Sequence, residues 1–502
     1  MTTADRLLAE RDGLTDQQIH DAAREENRCV VLYALGRFSE AIAAGLRAIE
    51  IWPSYAQAHR NLAPLYSETL EHEKAKAYLL RATELAPSNL AYLSEYLFLL
   101  DLADDSPEKS LAVRRTYNDL VIKPLLPDAM PSLKSHEDDP TIRVGYVSAD
   151  FCQHSAPFTF SAMLRAYNPG KFSVYAYGSV ATEDEMTAEI RKSVSVFRNV
   201  YGWSDELLTQ QIRKDEIDIL IDLSGFTKGS RLSVFARRPA PIQLSGWGYA
   251  TGMSLDCFDG FFTDQFCVPP EDEEFFTEPP IHLPCALSWM PPHFLRLTPP
   301  VDAGDGQFTF GVFTRQQKIT REAVETWAEI LKQSPDSRLI IKNVSFRLKD
   351  IQQLTMGIFR DFGVADRVIL KGATNHRDHM FDHKDIHLML DTFPHGNGVT
   401  AFETLWMGVP MLTLYGKRVS GRITSSILKN INRERLVTYS IQGYIQRAVY
   451  LSENRDVLKG LSEGLPKDLN NSPMMLHTLY AHTVYDILYK MIQQKRDNLI
   501  PA

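Results

Sequence analysis

Two stretches of this chain run through the same alternation of buried-type strand and amphipathic helix, and a proline-rich break precedes each. The first opens with "TIRVGYVSAD" (141–150) and continues through "KFSVYAYGS" (171–179) and the helical "DELLTQQIRKDE" (205–216). It returns to a strand in "IDILIDLSG" (217–225). The second opens with "FTFGVF" (308–313) and the helical "TREAVETWAEILKQS" (320–334), then gives the strands "RLIIKN", "RVILKG", "IHLMLD" and "PMLTLY". Continuously apolar strands are buried on both faces, and strands alternating with helices build parallel sheets covered by helices. The expectation is an α/β body of two Rossmann-like lobes, 141–292 and 308–470, whose loops at the strand carboxyl ends face a shared cleft. The breaks, 123–140 ("KPLLPDAMPSLKSHEDDP") and 293–307, read as linkers.

Ahead of this body lies an internal repeat. Pro53 and Pro87 stand 34 residues apart, and the same offset relates Ala41 to Ala75, Arg47 to Arg81, Ala48 to Ala82 and Glu50 to Glu84. Small residues at two helix positions and a closing proline, at that period, mark tetratricopeptide helix pairs. The alanines let antiparallel helices approach closely, and Tyr33, Leu35, Phe38, Tyr66 and Tyr78 are expected to fill the spaces between them. Residues 1–122 are thus read as a short helical repeat domain with two well-marked units and a degenerate third. A final helix is expected within 471–502, either packed back across the lobes or serving a homo-oligomer contact.

At 502 residues the chain exceeds one compact core, and its 44% apolar and 23% charged composition is that of an ordinary globular protein. A net charge of −9 argues against a nucleic-acid partner, because phosphate-backbone affinity needs clustered Lys and Arg. The five cysteines are scattered without metal-ligand spacing, no apolar run reaches membrane-spanning length, and the amino terminus lacks a signal-like apolar core. These features point to a reduced, cytoplasmic protein without structural zinc or a membrane span.

The chemistry concentrates in "DTFPHGNGVTAFETLWMGVPM" (391–411). An apolar strand ends there, a glycine-rich turn follows, and an amphipathic helix begins near Thr400. Free N–H groups at a helix start and the positive end of its dipole favour a phosphate. Glu403, one turn in, can accept hydrogen bonds from a ribose diol, as acidic residues do in dinucleotide folds. A solvated carboxylate favoured by the dipole is the plainer alternative.

Together with "IRVGYVSADFCQHS", "ILIDLSGFTKGSRLSVFARRPAPIQLSGWGY", "FFTDQ" and "KITREAVETWAEILKQSPDSRL", this segment resembles the tetratricopeptide-linked O-GlcNAc transferases and their SPINDLY-type relatives. The resemblance covers roughly 142–430. It implies a GT-B glycosyltransferase that moves a hexosyl or N-acetylhexosaminyl group, with inversion, from a nucleotide-diphosphate sugar to Ser or Thr hydroxyls of a protein. That protein would be contacted by the repeat domain. It places Lys318 at the donor diphosphate with Arg315 beside it, Gly398, Val399 and Thr400 at the phosphate turn, and Glu403 at the ribose. Thr374, His376 and His379 fall at the nucleotide, and no metal or other cofactor is expected.

On the sugar and acceptor side the resemblance places His154, Asp218 and Tyr249. Imidazole exchanges a proton near neutrality, so His154 is the candidate base, against the alternative of a surface histidine that only hydrogen-bonds. Asp218 stands where O-GlcNAc transferases carry a second cleft histidine, against the alternative of a strand-start carboxylate with no role in chemistry. The chain departs from the family pattern at Gly398-Val399 in place of His-Thr, at Arg315 in place of Gln or Asn, and in the loop "GYATGMS". The departures leave open whether UDP-GlcNAc or another nucleotide sugar is the donor. The competing class is a non-catalytic adaptor, in which the repeats bind a protein and the two-lobed body only senses a nucleotide.

Overall fold

The computed structural model describes residues 9–104, 106–133, 141–297, 304 and 306–497. After a helical turn at 9–11, the described residues form repeat helices in antiparallel pairs: α1 (Asp16–Ala34), α2 (Phe38–Ile51), α3 (Ala56–Glu68), α4 (His72–Leu85), α5 (Leu90–Ala103) and α6 (Pro107–Tyr117). The repeat alanines work as expected: Ala41, Ala48, Ala75 and Ala82 are fully buried, which lets the helix axes close on one another. Phe38 and Tyr66 are buried, and Tyr66 stacks on Tyr78 with ring centroids 5.2 Å apart. Leu35 differs from expectation. It falls in the turn after α1 rather than on a packed face, and is 63% exposed.

Two parallel sheets follow. The first contains β1 (Ile142–Ser148), β2 (Phe172–Gly178), β3 (Val196–Asn199), β4 (Ile219–Asp222), β5 (Ile242–Ser245), β6 (Gly260–Thr263) and β7 (Pro280–His282), in the order β3-β2-β1-β4-β5-β6-β7. The second contains β8 (Phe308–Phe313), β9 (Ser337–Lys342), β10 (Val368–Lys371), β11 (Leu388–Leu390), β12 (Met411–Leu414) and β13 (Val437–Thr438), in the order β10-β9-β8-β11-β12-β13. Both are doubly wound, so strand order reverses between β1 and β4 in one lobe and between β8 and β11 in the other. Ligands bind outside the carboxyl ends of the strands at such switch points. Strands β3, β5, β6, β7 and β13 were not anticipated, being too short, at two to four residues, to show a period.

Helices α7 (Pro157–Arg165), α8 (Glu185–Ser193), α9 (Asp205–Lys214) and α10 (Leu232–Ala236) belong to the first lobe. In the second lobe α11 (Arg321–Gln333), α12 (Lys349–Asp361), α13 (His376–Phe381), α14 (Val399–Trp406) and α15 (Ile423–Asn430) alternate with strands. The chain then runs through α16 (Ile441–Glu453), α17 (Arg455–Ser462) and α18 (Leu465–Asn470) into α19 (His477–Asp497). This last helix packs back on the first lobe: Trp247 Nε1 donates to the Tyr480 hydroxyl at 2.9 Å, and the Tyr485 hydroxyl donates to the Met163 carbonyl at 2.8 Å. Of the expected linkers and tail, 134–140, 298–303, 305 and 498–502 lie outside the described residues. Among the described residues no helix is long and apolar enough to cross a membrane.

Candidate functional site

The donor-side cleft is built where β8 and β11 end. Asp391 closes β11, and its buried carboxylate organises the turn. One oxygen accepts from the backbone of Thr392 at 2.9 Å, the backbone of Asn397 at 3.0 Å and Asn397 Nδ2 at 2.8 Å, while the other accepts from Thr413 Oγ1 at 2.7 Å. Burial raises its pKa, partly offset by hydrogen bonds from Thr424 and Thr413 and by the nearby Lys318 charge. The turn is tight at Gly396, where a β-carbon would stand 3.0 Å from Asp391 Oδ2. At Gly398 the nearest heavy atom would be an ordinary 3.6 Å away, on Leu287. Gly398 precedes α14, and no side chain caps that helix, which leaves its first-turn N–H groups for a ligand. Val399 and Thr400 are half-buried in that first turn.

Lys318 reaches this turn from the loop after β8. Its Nζ donates to the Gly396 carbonyl at 2.7 Å. Desolvation, and then repulsion from Arg315, pulls the amine down to about 7, against the pull of Asp391. Arg315 is exposed beside the repeat helices, with Phe98 5.6 Å beneath its guanidinium, and partial desolvation lowers its pKa. An ammonium held below its ordinary range is short of counter-charge even with Asp391 nearby, and a diphosphate would supply more.

One turn further along α14, Glu403 is buried and clamped by two imidazoles. His376 Nε2 lies 2.6 Å from one carboxylate oxygen, and His379 Nε2 lies 3.7 Å from the other. Burial alone would raise this carboxyl; hydrogen bonds and charge from His376 and His379 prevail and bring it down to about 2. The His376 ring meets Phe158 at 5.9 Å and Phe294 at 5.4 Å, so the first lobe and the segment leaving it close over the donor side. His383 points inward. It donates from Nδ1 to the Met380 carbonyl at 3.0 Å and accepts at Nε2 from Thr404 at 3.2 Å, and burial holds it neutral by lowering its pKa to about 4. Thr374 lies at the exposed rim, accepting from Lys342 Nζ at 2.6 Å. Lys318, Arg315, Gly398–Thr400, Glu403, His376, His379 and Thr374 thus surround one end of the second sheet.

The first lobe contributes its own switch point. His154 is exposed on the loop after β1; its Nδ1 accepts from the Ala156 backbone at 3.3 Å and stands 3.6 Å from Asp150. Asp222, closing β4, was not singled out from sequence. It is buried, its Oδ2 accepts from Gly225 at 2.6 Å, and its Oδ1 finds no partner. Burial pushes its pKa up to about 6, relieved by backbone N–H groups and worsened by Asp150. Tyr249 packs over Gly225, whose φ of +55° and lack of a β-carbon make room for the ring, and its buried hydroxyl has no partner. Asp218 is not brought here. It precedes β4, at the amino ends of the strands and away from the cleft, and accepts there from the Arg143 backbone at 2.8 Å. Among the described residues no group of three or more His, Cys, Asp or Glu is placed to hold a metal.

A sequence profile of glycosyl transferase family 41 matches residues 127–294 and 302–484, more than two-thirds of the chain. The chain belongs to glycosyl transferase family 41. Within curated family 41 relatives, it is 31% identical over 341 residues to an Arabidopsis thaliana protein and 30% identical over 384 residues to one from Petunia hybrida. Both are named "Probable UDP-N-acetylglucosamine--peptide N-acetylglucosaminyltransferase SPINDLY". The matches cover 66% and 73% of this chain but 37% and 40% of those proteins, so the chain spans about two-fifths of their length. A solved structure, a mutant of the Thermobaculum terrenum O-GlcNAc transferase, superposes over 100% of both chains with a TM-score of 0.86 at 26% identity. The repeat domain and the two-lobed GT-B body of this family 41 chain follow that structure throughout.

Proposed function

We propose that the chain transfers a sugar, with inversion, from a nucleotide-diphosphate donor to Ser or Thr hydroxyls of a polypeptide held by its repeat domain. One arrangement carries the reading: a partly desolvated amine, Lys318, aimed at the uncapped start of α14, with a clamped carboxylate, Glu403, one turn along the same helix. The amine, Arg315 and the helix N–H groups meet the charge that grows on a departing diphosphate without calling on a metal. Glu403 accepts from the ribose diol, and His379 faces the base.

Across the cleft, His154 accepts the proton of the acceptor hydroxyl. The oxygen forms its bond to the anomeric carbon as the bond to phosphate breaks on the opposite face, and the pair leaves with the nucleoside diphosphate. His154 Nδ1 now accepts a hydrogen bond from Ala156, so a base acting through Nε2 requires the proton on Nδ1 and a turn of the ring toward Asp150. The names carried by the relatives make UDP-GlcNAc the first donor to try.

The test incubates the purified chain with UDP-, GDP- and CMP-sugars and a cell lysate, reading released nucleotide and the mass of modified proteins. Sugar added to Ser or Thr with at least one donor is the expected result. Binding of a nucleotide with no transfer from any donor would leave the adaptor reading and overturn this one.

A further inference from the structure

Helix α3 ends at Glu68, and the turn into α4 faces the donor lobe rather than solvent. The Glu68 side chain is buried, and its carboxylate accepts from Gln317 Nε2 and, at 3.1 Å, from Ser345 Oγ. Its carbonyl accepts from Gln316 Nε2 at 3.0 Å, and His72, opening α4, donates through Nε2 to the Gln317 carbonyl at 3.1 Å. Gln316 accepts in turn from Asn343 Nδ2 at 2.9 Å, which ties the grip to the end of β9. The next residue after this gripped pair is Lys318. The other loop of the donor site is held from the same side: His395, in the turn after β11, donates to the Asp101 carbonyl of α5 at 2.8 Å.

A buried carboxylate costs several kcal/mol unless it is fully hydrogen-bonded, and nothing in the packing of one repeat on the next asks for one at this corner. The Glu68 carboxylate hydrogen-bonds to Gln317 and Ser345, both in the donor lobe. We infer that Glu68 and His72 are positioning residues for Lys318, which makes the second helical repeat a working part of the donor site and not only an acceptor-side module. The inference rests on the donor-site reading above.

Releasing the latch frees the 316–318 loop, draws the Lys318 amine away from Gly396 and admits water. The groups facing that amine are Arg315 on its own loop, Asp391 at the end of β11 and His395 in the turn. Hydration therefore lifts the amine from about 7 toward the ordinary lysine range.

The experiment measures UDP and GDP binding to the full chain by calorimetry, and titrates the Lys318 amine by competitive acylation read by mass spectrometry. Glu68→Ala should weaken the better-bound diphosphate by roughly tenfold, the loss expected when hydrogen bonds that hold a charged group in place are removed, and move the amine upward. Glu68→Gln, whose amide oxygen still accepts one bond, should recover part of both. Gln317→Ala releases the latch from the lobe side and should reproduce the loss even if Glu68→Ala fails to fold. Arg60→Ala serves as control, because it breaks the bond to Glu95 (2.7 Å) between α3 and α5 without touching the loop, and should leave binding unchanged. Unaltered binding in Glu68→Ala and Gln317→Ala, or equal weakening in Arg60→Ala, would overturn the inference. Failure of the unaltered chain to bind either diphosphate would overturn the donor-site reading first, and the inference with it.

Discussion

The two lobes share one strand order, yet their switch points carry opposite electrostatics. At the first, β4 ends in Asp222, and the loop after β1 carries Asp150 and the exposed His154. At the second, the loop after β8 carries Arg315 and Lys318 beside the buried Asp391 that follows β11, around an uncapped helix start. The second is braced by hydrogen bonds from the repeat helices, whereas the first opens to solvent at His154. A common topology thus supplies two frames, and the residues set on them divide the labour. The cationic, braced frame suits a fixed diphosphate, and the acidic, open one suits an acceptor that arrives and loses a proton.

Lys318→Ala should have the largest effect. Removing the charge that meets the leaving group should lower kcat by about 10²–10³-fold, the range seen when one such electrostatic group is deleted, with melting temperature preserved. Glu403→Gln comes next, with nucleotide binding weakened by about ten- to a hundredfold in calorimetry, since the ribose loses a charged acceptor and two imidazoles lose their anchor.

A third effect is a pH dependence on the donor side. In the proposed reaction the Lys318 ammonium is the active form, and burial pulls the amine down to about 7, so kcat/KM should fall as pH rises through that value. A rate that stays flat from pH 6 to 9 would remove the lysine charge from the account.

The smallest effect sharpens the acidic frame. Asp222 has a folded pKa of about 6, raised from 3.8, so the stability it contributes is complete below pH 4 and is lost as pH climbs through 6. Asp222→Asn keeps an acceptor for Gly225 and removes that loss. The variant should gain about 2–3 kcal/mol over the parent at pH 8 and nothing at pH 4, read by denaturant unfolding at both.

The strands that matter most for placing the site were legible because they are long apolar runs. "FTFGVF" is β8 as read, and β12 and α14 fall where the turn residues put them. The 34-residue period disclosed the repeat helices through their alanines. What escaped was set by three-dimensional proximity. Nothing around Glu68 signals that its partners lie some 250 residues away. Asp222 looks like any strand-ending acid until the lack of a partner for Oδ1 shows it to be strained electrostatically. Asp218 matches a cleft position by motif but begins β4, whose opposite end faces the cleft, which is the strand-start alternative that the sequence also offered.

The most direct measurement is a structure of the chain with UDP bound. The account predicts the diphosphate within hydrogen-bonding distance of Lys318 Nζ and the first turn of α14, with the ribose diol on Glu403. A nucleotide seated elsewhere, or one whose diphosphate leaves Lys318 on Gly396, would contradict it.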